Sequence, residues 1–393
     1  MKTILFLLPL CVAFLGHART EMPNKVESAA APGKPAATVA KAVFQYKAGD
    51  IAIPTATADE PKVAAFGAES IRAAAKYLDD GASAWARSRS CMACHTTGVY
   101  MAERTVLTKL LGPPRDEILG DFVADIPAEG DETTKTQPHA FSVWRSLGLA
   151  QWDRHVAGKL SEHTQRSLRD MLLRLPGDGF YHTVSKVEIP YTTTNFELTV
   201  QAARSIAAAP GWLAGLTDND LKGRLQRMKT ALAAYQPRHD YERALLLQLA
   251  VAMPELVPQQ ARDEAISVLW KHQRDDGGWS TRSFSEVTNW GPYIRPETVA
   301  MLQAEPDAAD PAGDAYMTAF AIILLRENNV PADDPRIQRG IAWLKSGQRA
   351  SGRWWMKSLY KDTLHFSTYI ATAHALRALA LCGEIHYGKV PVR

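Results

Sequence analysis

The chain of 393 residues is poor in cysteine, nearly balanced in charge and without a long apolar run in its body. Four cysteines are too few for a disulfide framework in a chain of this length. The 45 basic and 42 acidic residues are interspersed, and a net charge of +3 does not indicate nucleic-acid binding. Past the N-terminal segment no run of about 18 apolar residues occurs, so the sequence predicts no integral membrane segment there. A hydrophobic fraction of 46% predicts a globular protein with a substantial core.

The N-terminus has the pattern of a secretory signal peptide. Lys2 precedes an apolar run from Ile4 to Leu15, which is too short to span a bilayer, and small residues then lead to Ala18. We expect residues 1–18 to be removed and the protein to be periplasmic or secreted. A lipoprotein modified at Cys11 is the weaker alternative, because Pro9-Leu10 is a poor match to a lipobox. Residues 19–60 are rich in Ala and Pro and predict a linker or arm that includes two short strands or packing contacts near 44–46 and 51–53.

An internal repeat dominates the rest of the chain. Arg262–Trp279 and Ile337–Trp354 superpose with a shift of 75 residues, and both contain the pattern Q-x-x-x-G-x-W after an amphipathic helix. The coinciding pairs are Ile266 with Ile341, Leu269 with Leu344, Gln273 with Gln348, Gly277 with Gly352 and Trp279 with Trp354. Weaker copies are Arg166–Phe180 and Ile71–His95. A second helix type, rich in Ala and apolar on most faces, alternates with the first at 197–209, 315–325 and 367–379.

This pattern resembles the QW repeats of squalene–hopene cyclases and their prenyltransferase relatives. The resemblance covers 262–384 best and extends weakly back to residue 61. It implies an all-α fold, an α/α toroid of helix pairs over 61–388, around a cavity for an apolar or isoprenoid-like molecule. The Gln and Trp of each repeat are interpreted as structural, because they link helices.

The catalytic residues that the resemblance implies do not carry over. The D-x-D-D motif of squalene–hopene cyclases does not occur, and Asp314 is interpreted as a helix N-cap rather than as a cyclase acid. We expect the two acid pairs to lie in turns, Asp275-Asp276 in a QW turn and Asp333-Asp334 at a helix N-terminus, whereas Asp310 precedes a buried helix. The zinc site of prenyltransferases could be imitated by His365 or His374 with Cys382, but no D-x-C segment accompanies them, and Cys382 is interpreted as a core residue.

Cys91-Met-Ala-Cys94-His95 is the C-x-x-C-H pattern that attaches haem c in exported proteins. Two thiols bind the two vinyl groups of one porphyrin edge, and the adjacent imidazole becomes an iron ligand. Cys91, Cys94 and His95 are therefore the predicted cofactor-binding residues, with His95 as the metal ligand. Trp85, six residues upstream, is placed to pack against a porphyrin.

Three other interpretations of this cysteine pair stay open. It could form a disulfide, a redox pair without the βαβ context of thioredoxins, or half of a zinc site without a partner motif. A sixth iron ligand is not identified, and five-coordinate iron is equally compatible with the sequence. The candidates for it are Met101, His139, His155, His163, Met171, His182, Met228 and His239.

The segment after the last repeat is dense in aromatic and basic residues. Arg353, Lys357, Lys361 and His365 could line a cavity mouth for an anionic or apolar ligand, whereas the favoured interpretation is packing of Trp354 and Trp355. No phosphate-binding loop, G-x-S-x-G or H-E-x-x-H occurs.

The leading hypothesis is a toroid with one haem c, active in electron transfer with a redox partner protein or in oxidation of an apolar molecule. The alternatives are a terpenoid-cyclase-like enzyme whose cysteine pair is structural, and a non-catalytic toroid that binds a lipid or a partner.

Overall fold

The computed structural model describes residues 43–89, 94–128, 138–183, 194–289, 296–359 and 366–385. Its helices are α1 (Ala68–Arg89), α2 (Thr108–Leu111), α3 (Asp116–Ala124), α4 (His139–Trp152), α5 (Glu162–Leu173), α6 (Asn195–Ala208), α7 (Trp212–Gly215), α8 (Asn219–Ala234), α9 (Asp240–Ala252), α10 (Gln259–Lys271), α11 (Pro296–Gln303), α12 (Ala315–Glu327), α13 (Pro335–Gly347) and α14 (Phe366–Leu381). π-Helical segments are Cys94–Gly98, Tyr100–Arg104 and Asp153–Ala157, and 3-10 turns are Thr105–Leu107, Pro254–Leu256, Thr281–Ser283 and Val287–Asn289.

The helices form two concentric rings. In the inner ring α4 packs on α6, α6 on α9, α9 on α12 and α12 on α14. The π-helical stretch 94–104 packs on both α14 and α4 and so closes the ring. The outer helices α1, α3, α5, α8, α10 and α13 each cover the inner elements beside them. The prediction of an all-α, α/α toroid is confirmed.

The sequence pattern separates the two rings. In α12 every residue from Ala315 to Leu325 is buried, because both sides of an inner helix are covered by protein. In the outer helix α13 only Ile337, Gly340, Ile341 and Leu344 are buried, which is a stripe with helical spacing along one face. The alternation of wholly apolar and amphipathic helices in the sequence is thus the alternation of inner and outer rings.

The two QW turns make the same hydrogen bonds. The Trp279 indole N–H donates to the carbonyl of Leu269 at 2.7 Å, and that of Trp354 donates to Leu344 at 2.7 Å. The backbone N–H of each tryptophan donates to a threonine hydroxyl on the following inner helix, Thr318 at 2.9 Å and Thr372 at 3.0 Å. Both indoles are fully buried, so each turn fixes an outer helix to the next inner helix.

The glutamines extend each turn to the next outer helix. The Gln273 amide donates to the Arg336 carbonyl of α13 at 2.8 Å. The Gln348 amide donates to the Ser70 carbonyl of α1 at 2.9 Å and so ties the last outer helix to the first. Gly352 has a φ of +90°, and a Cβ there would lie 2.4 Å from the Ala74 backbone nitrogen, so only glycine fits this turn.

The upstream repeat at 166–180 is a true copy with a different aromatic residue. Tyr181, not Phe180, occupies the tryptophan place: its hydroxyl donates to the Met171 carbonyl at 2.8 Å. Its backbone N–H donates to the Thr199 hydroxyl at 2.9 Å, as in the other two turns. Gly179 precedes it at the same spacing and has a φ of +83°. The copy therefore extends one residue beyond the predicted segment Arg166–Phe180, because the helix pattern does not fix the register of the turn.

A hairpin of β1 (Phe44–Ala48) and β2 (Ile51–Pro54) pairs antiparallel with Tyr46 opposite Ile53, and a bulge follows Phe44. It packs on α1, so this part of the 19–60 segment is folded against the toroid. No helix in the described part of the chain is long and apolar enough to cross a membrane.

Candidate functional site

The inner ring has two ends that differ in chemistry. At its N-terminal end the inner helices begin, and His95 and Asp314 lie there. At its C-terminal end they finish, and Gln151 and Arg377 lie there. Buried aromatic side chains of the inner helices contact one another: the Tyr241 and Tyr316 hydroxyls are 3.0 Å apart, and the Tyr316 ring meets the His374 ring edge-on at 4.9 Å.

His95 lies near the start of the inner element Cys94–Gly98 and is partly buried. Its imidazole stacks on Phe366, at the start of α14, with ring centroids 4.9 Å apart, and meets Trp85 of α1 edge-on at 4.9 Å. Nδ1 lies 2.9 Å from the Thr96 hydroxyl, which is 3.3 Å from the Tyr46 hydroxyl. Contacts to α14, to α1 and to the adjacent Thr96 therefore fix the orientation of the ring, and Trp85 lies beside it as expected.

The His95 imidazole is neutral at physiological pH. Burial lowers its pKa to about 4, and the Arg89 cation contributes to the same shift. A neutral imidazole with one nitrogen held by a hydrogen bond presents the other nitrogen as a metal ligand. These features fit an iron ligand. Cys91 lies outside the described residues, and for Cys94 only the backbone is described, so haem attachment at the two thiols stays a prediction.

Several sixth-ligand candidates have other roles in the structure. His239 caps α9 by accepting from the Glu242 N–H, and His139 accepts from the His182 N–H at 2.9 Å. The methionine candidates, Met101, Met171 and Met228, are fully buried in the core. His155 lies at the C-terminal end of the ring and His163 is on the outer helix α5. None of these local arrangements identifies a sixth ligand.

Asp314 caps α12, as expected from the sequence. Its Oδ1 accepts from the Met317 N–H at 2.7 Å, and Oδ2 accepts from the Thr281 N–H at 2.5 Å. Burial raises the pKa of this carboxyl, against the opposing effect of the two backbone N–H groups. Asp314 also lines a cavity of about 310 Å³ together with Trp343 and Trp355. A half-buried acid therefore lines a cavity at this end of the ring whose wall combines tryptophan rings with charged side chains, among them Arg282 and Lys357.

The basic segment after the last repeat divides between two places. Arg353 does not line the Asp314 cavity: it pairs with Glu60 at 2.8 Å and donates to the Pro54 carbonyl at 2.6 Å. Lys357 does line that cavity and pairs with Glu305 at 2.5 Å. The favoured packing role of Trp354 is confirmed by its complete burial. Lys361 and His365 lie outside the described residues.

The acid pairs at 275–276 and 333–334 lie in turns, as predicted. Asp334 caps α13, Asp276 accepts from the Gly278 N–H, and Asp310 pairs with Arg274.

The described residues do not form the possible zinc site of His374 with Cys382. The Nδ1–H of His374 donates to the Ile370 carbonyl inside the ring, whereas Cys382 follows α14 and packs at the edge of the core. No cluster of three metal-binding side chains occurs among the described residues.

A buried charge cluster near the C-terminal end of the ring has no counterpart in the sequence predictions. Arg377 of α14 pairs with Glu103 at 2.5 Å and also with Glu327 of α12. Arg204 of α6 lies 3.4 Å from Glu103. Burial raises the Glu103 pKa, but Arg377, His374 and Arg204 outweigh it and hold the pKa at about 2. The available signal was one arginine in the otherwise apolar helix 367–379.

Comparison with known proteins gives similarity in fold. No protein-family model and no curated protein matches the chain. Among solved structures, ent-copalyl diphosphate synthase from Streptomyces platensis has a TM-score of 0.45 at 15% identity, over 73% of this chain and 50% of that one. The type II terpene cyclase MstE from Scytonema has a TM-score of 0.44 at 15% identity, over 81% of this chain and 99% of MstE. A variant of MstE in complex with geranylgeranyl dihydroxybenzoate, its substrate, has a TM-score of 0.43 at 16% sequence identity. This similarity covers 80% of this chain and 97% of the MstE variant.

The chain thus spans about half the length of the copalyl diphosphate synthase. Two of these three structures are named as a type II terpene cyclase and the third as a diphosphate synthase.

Proposed function

We propose that this protein is an exported α/α toroid that carries one covalent haem c and performs electron transfer or redox chemistry on an apolar molecule. The supporting observation is the place of His95. Its neutral imidazole is fixed by Phe366, Trp85 and Thr96 at the start of an inner-ring element, directly after the cysteine pair.

The residues have separate roles in this proposal. The thiols of Cys91 and Cys94 would hold the porphyrin edge, and His95 would bind the iron. The Thr96 hydroxyl and the two aromatic rings orient the imidazole, so the ligand is preorganised by the toroid itself. Bound haem supplies one-electron redox chemistry, for which the proposal requires a redox partner protein or an oxidisable apolar ligand.

The test is production of the full chain in a host with haem c maturation, followed by visible absorption and intact mass. We expect a Soret band and a mass gain of one haem. Replacing both Cys91 and Cys94 by serine should remove both signals. The matched control is Cys382→Ser, which alters the remaining cysteine of the predicted mature chain and should leave both signals unchanged. A protein with no haem mass, whose Cys91 and Cys94 react with an alkylating agent only after reduction, has a disulfide instead.

A terpenoid-cyclase-like enzyme is the second candidate, and Asp314 is the observation that favours it. A carboxyl whose pKa is raised by burial, beside a cavity lined in part by tryptophan rings, is suited to proton donation to an alkene. Its two oxygens, however, already accept backbone N–H groups. Turnover of a polyprene such as geranylgeraniol should be lost in Asp314→Asn, whereas unchanged turnover excludes this acid. If the wild type and Asp314→Asn both bind the polyprene without turning it over, the protein is a non-catalytic lipid-binding toroid.

A further inference from the structure

A second cleft lies at the C-terminal end of the inner ring, opposite His95 and Asp314. Its volume is about 800 Å³, and the last turns of five inner helices and the stretch after the first inner element contribute to it. Its lining divides into a charged and amide-bearing group and an apolar group. The first consists of Gln151, Arg154, His155, Arg204, Gln248, Glu327 and Arg377, and the second includes Val106, Ile206, Leu213, Val251 and Ala252.

The charged group has an excess of positive charge. Arg377 and Arg204 both pair with Glu103, Arg377 also pairs with Glu327, and Arg154 lines the same cleft as a third cation. Three cations therefore face two carboxylates. Burial is the main cause that lowers the pKa of the nearby His155 imidazole to about 4; Arg154, Arg377 and Lys109 lower it further, and Glu103 opposes them.

Two polar atoms of this lining have no hydrogen-bond partner among the described residues. They are Nε of Arg377, whose N–H could donate to a carboxylate, and Oε1 of Gln151, an acceptor that would pair with a donor instead; both side chains are more than nine-tenths buried. Buried polar groups in proteins are normally paired, so unpaired ones on the wall of a cleft indicate a missing partner. Arg154 is different, since it is exposed and uses one N–H on the Ala207 carbonyl at 3.3 Å.

The carbonyls at the helix ends do not cancel this charge. The C-terminus of a helix has partial negative charge, which opposes an anion. Here side-chain N–H groups already engage carbonyls in the last turns of three of these helices. Arg154 donates to Ala207 of α6, Arg326 donates to Leu381 of α14, and Asn328 donates to Leu324 of α12.

The rim of the cleft is apolar and exposed. Leu213 is 44% exposed and Val251 is 48% exposed, and both line the cleft. Large apolar side chains on a surface beside a charged pocket are typical of a site for a molecule with an apolar body and a polar head.

We propose that this cleft binds an amphipathic monoanion, an apolar chain with a carboxylate head, whose head group lies by Arg154 and whose chain packs between Leu213 and Val251. The site is separate from the haem motif and does not depend on the proposed redox function.

The test is titration of the full chain with dodecanoate below its micelle concentration, followed by calorimetry. Dodecanoate should bind, and dodecyltrimethylammonium, which has the same chain and the opposite charge, should bind at least tenfold more weakly. Charge reversal by Arg154→Glu should weaken dodecanoate binding at least tenfold. The matched control is Arg166→Glu, which changes another exposed arginine with a single long bond to a carbonyl, that of Pro127 at 3.4 Å.

The apolar part of the proposal has its own pair of variants. The double variant Leu213→Ser and Val251→Ser should weaken dodecanoate binding several-fold, and Leu173→Ser should not, although Leu173 is 41% exposed. Equal loss in the rim and control variants, equal binding of the two detergents, or no binding of dodecanoate by the folded protein would each overturn the proposal. These results are independent of whether haem is attached, because none of them is read from haem absorbance.

Discussion

The unpaired backbone groups at the two ends of the inner ring are hydrogen-bonded by side chains of opposite kinds, acceptors at the N-terminal end and donors at the C-terminal end. At the N-terminal end, side-chain acceptors receive free backbone N–H groups: Thr194 caps α6, His239 caps α9 and Asp314 caps α12. At the C-terminal end, the side chains of Arg154 and Asn328 donate to backbone carbonyls that have no partner within the helix.

This difference follows from the direction of the chain. Every described inner element begins at the N-terminal end of the ring, here called the first end, and finishes at the C-terminal end, here called the second end. The free N–H groups of the helices therefore lie at the first end and their free carbonyls at the second. The first end is therefore lined by acceptors and by the QW turns, and the second by arginines. The same architecture thus offers two chemically distinct binding regions on one chain.

Removal of the Trp354 indole should have the largest effect on the first end. Trp354→Ala leaves a cavity in the fully buried core and removes a hydrogen bond to α13, at a cost of about 3–5 kcal/mol in the free energy of unfolding. Chemical denaturation measures it. The control is Trp270→Ala on the outer helix α10, whose side chain is only partly buried, and it should cost clearly less. Equal losses would show that the turn itself adds nothing.

Glu103 should make the second end sensitive to acid. Its pKa is about 2 in the folded state and near 4.5 when unfolded, so its charge stabilises the fold above pH 4.5. That contribution, on the order of 3 kcal/mol, declines as the pH falls from 4.5 towards 2. Denaturation of the wild type and of Glu103→Gln over this range measures it.

The variant should be less stable at pH 7 and should lose less stability on acidification. Parallel pH profiles for the two proteins would contradict the assignment of this acid response to Glu103.

Replacement of the two repeat glutamines should have a smaller effect on the free energy of unfolding, and the effect should differ between them. Gln348 is fully buried and donates to the carbonyls of Ser70 and Gly352, so Gln348→Ala leaves buried acceptors unpaired at a cost of about 1–3 kcal/mol. Gln273→Ala should cost less, because Gln273 is partly exposed and water can replace its bonds. The midpoints of urea denaturation compare the two, and a larger loss in Gln273→Ala would reverse this ranking.

Much of the first end could be predicted from the sequence. The QW turns repeat at a fixed spacing, and their hydrogen bonds join residues that are close in the chain, as between Trp354 and Leu344. The cap role of Asp314 also follows from its place directly before an apolar helix. The register of the third copy could not be read, because Phe180 and Tyr181 are both aromatic and only the bond to Met171 decides between them.

The second end could not be predicted in the same way. Glu103 and Arg377 are 274 positions apart, and no local pattern relates them. A lone arginine in an apolar helix indicates a buried partner without naming it. The identity of that partner is a property of the closed ring, in which α14 lies beside the element that contains Glu103.

The bond between Gln348 and Ser70 has a consequence for how the chain is made. The first outer helix finds its last neighbour only after almost the whole polypeptide has been synthesised, since 278 positions separate the two partners. Until then one side of α1 has no cover, and the toroid exists as an open arc. Folding of this protein is therefore expected to be a late event that depends on its C-terminal quarter, and nascent chains that stop before residue 348 should be the ones that need a chaperone.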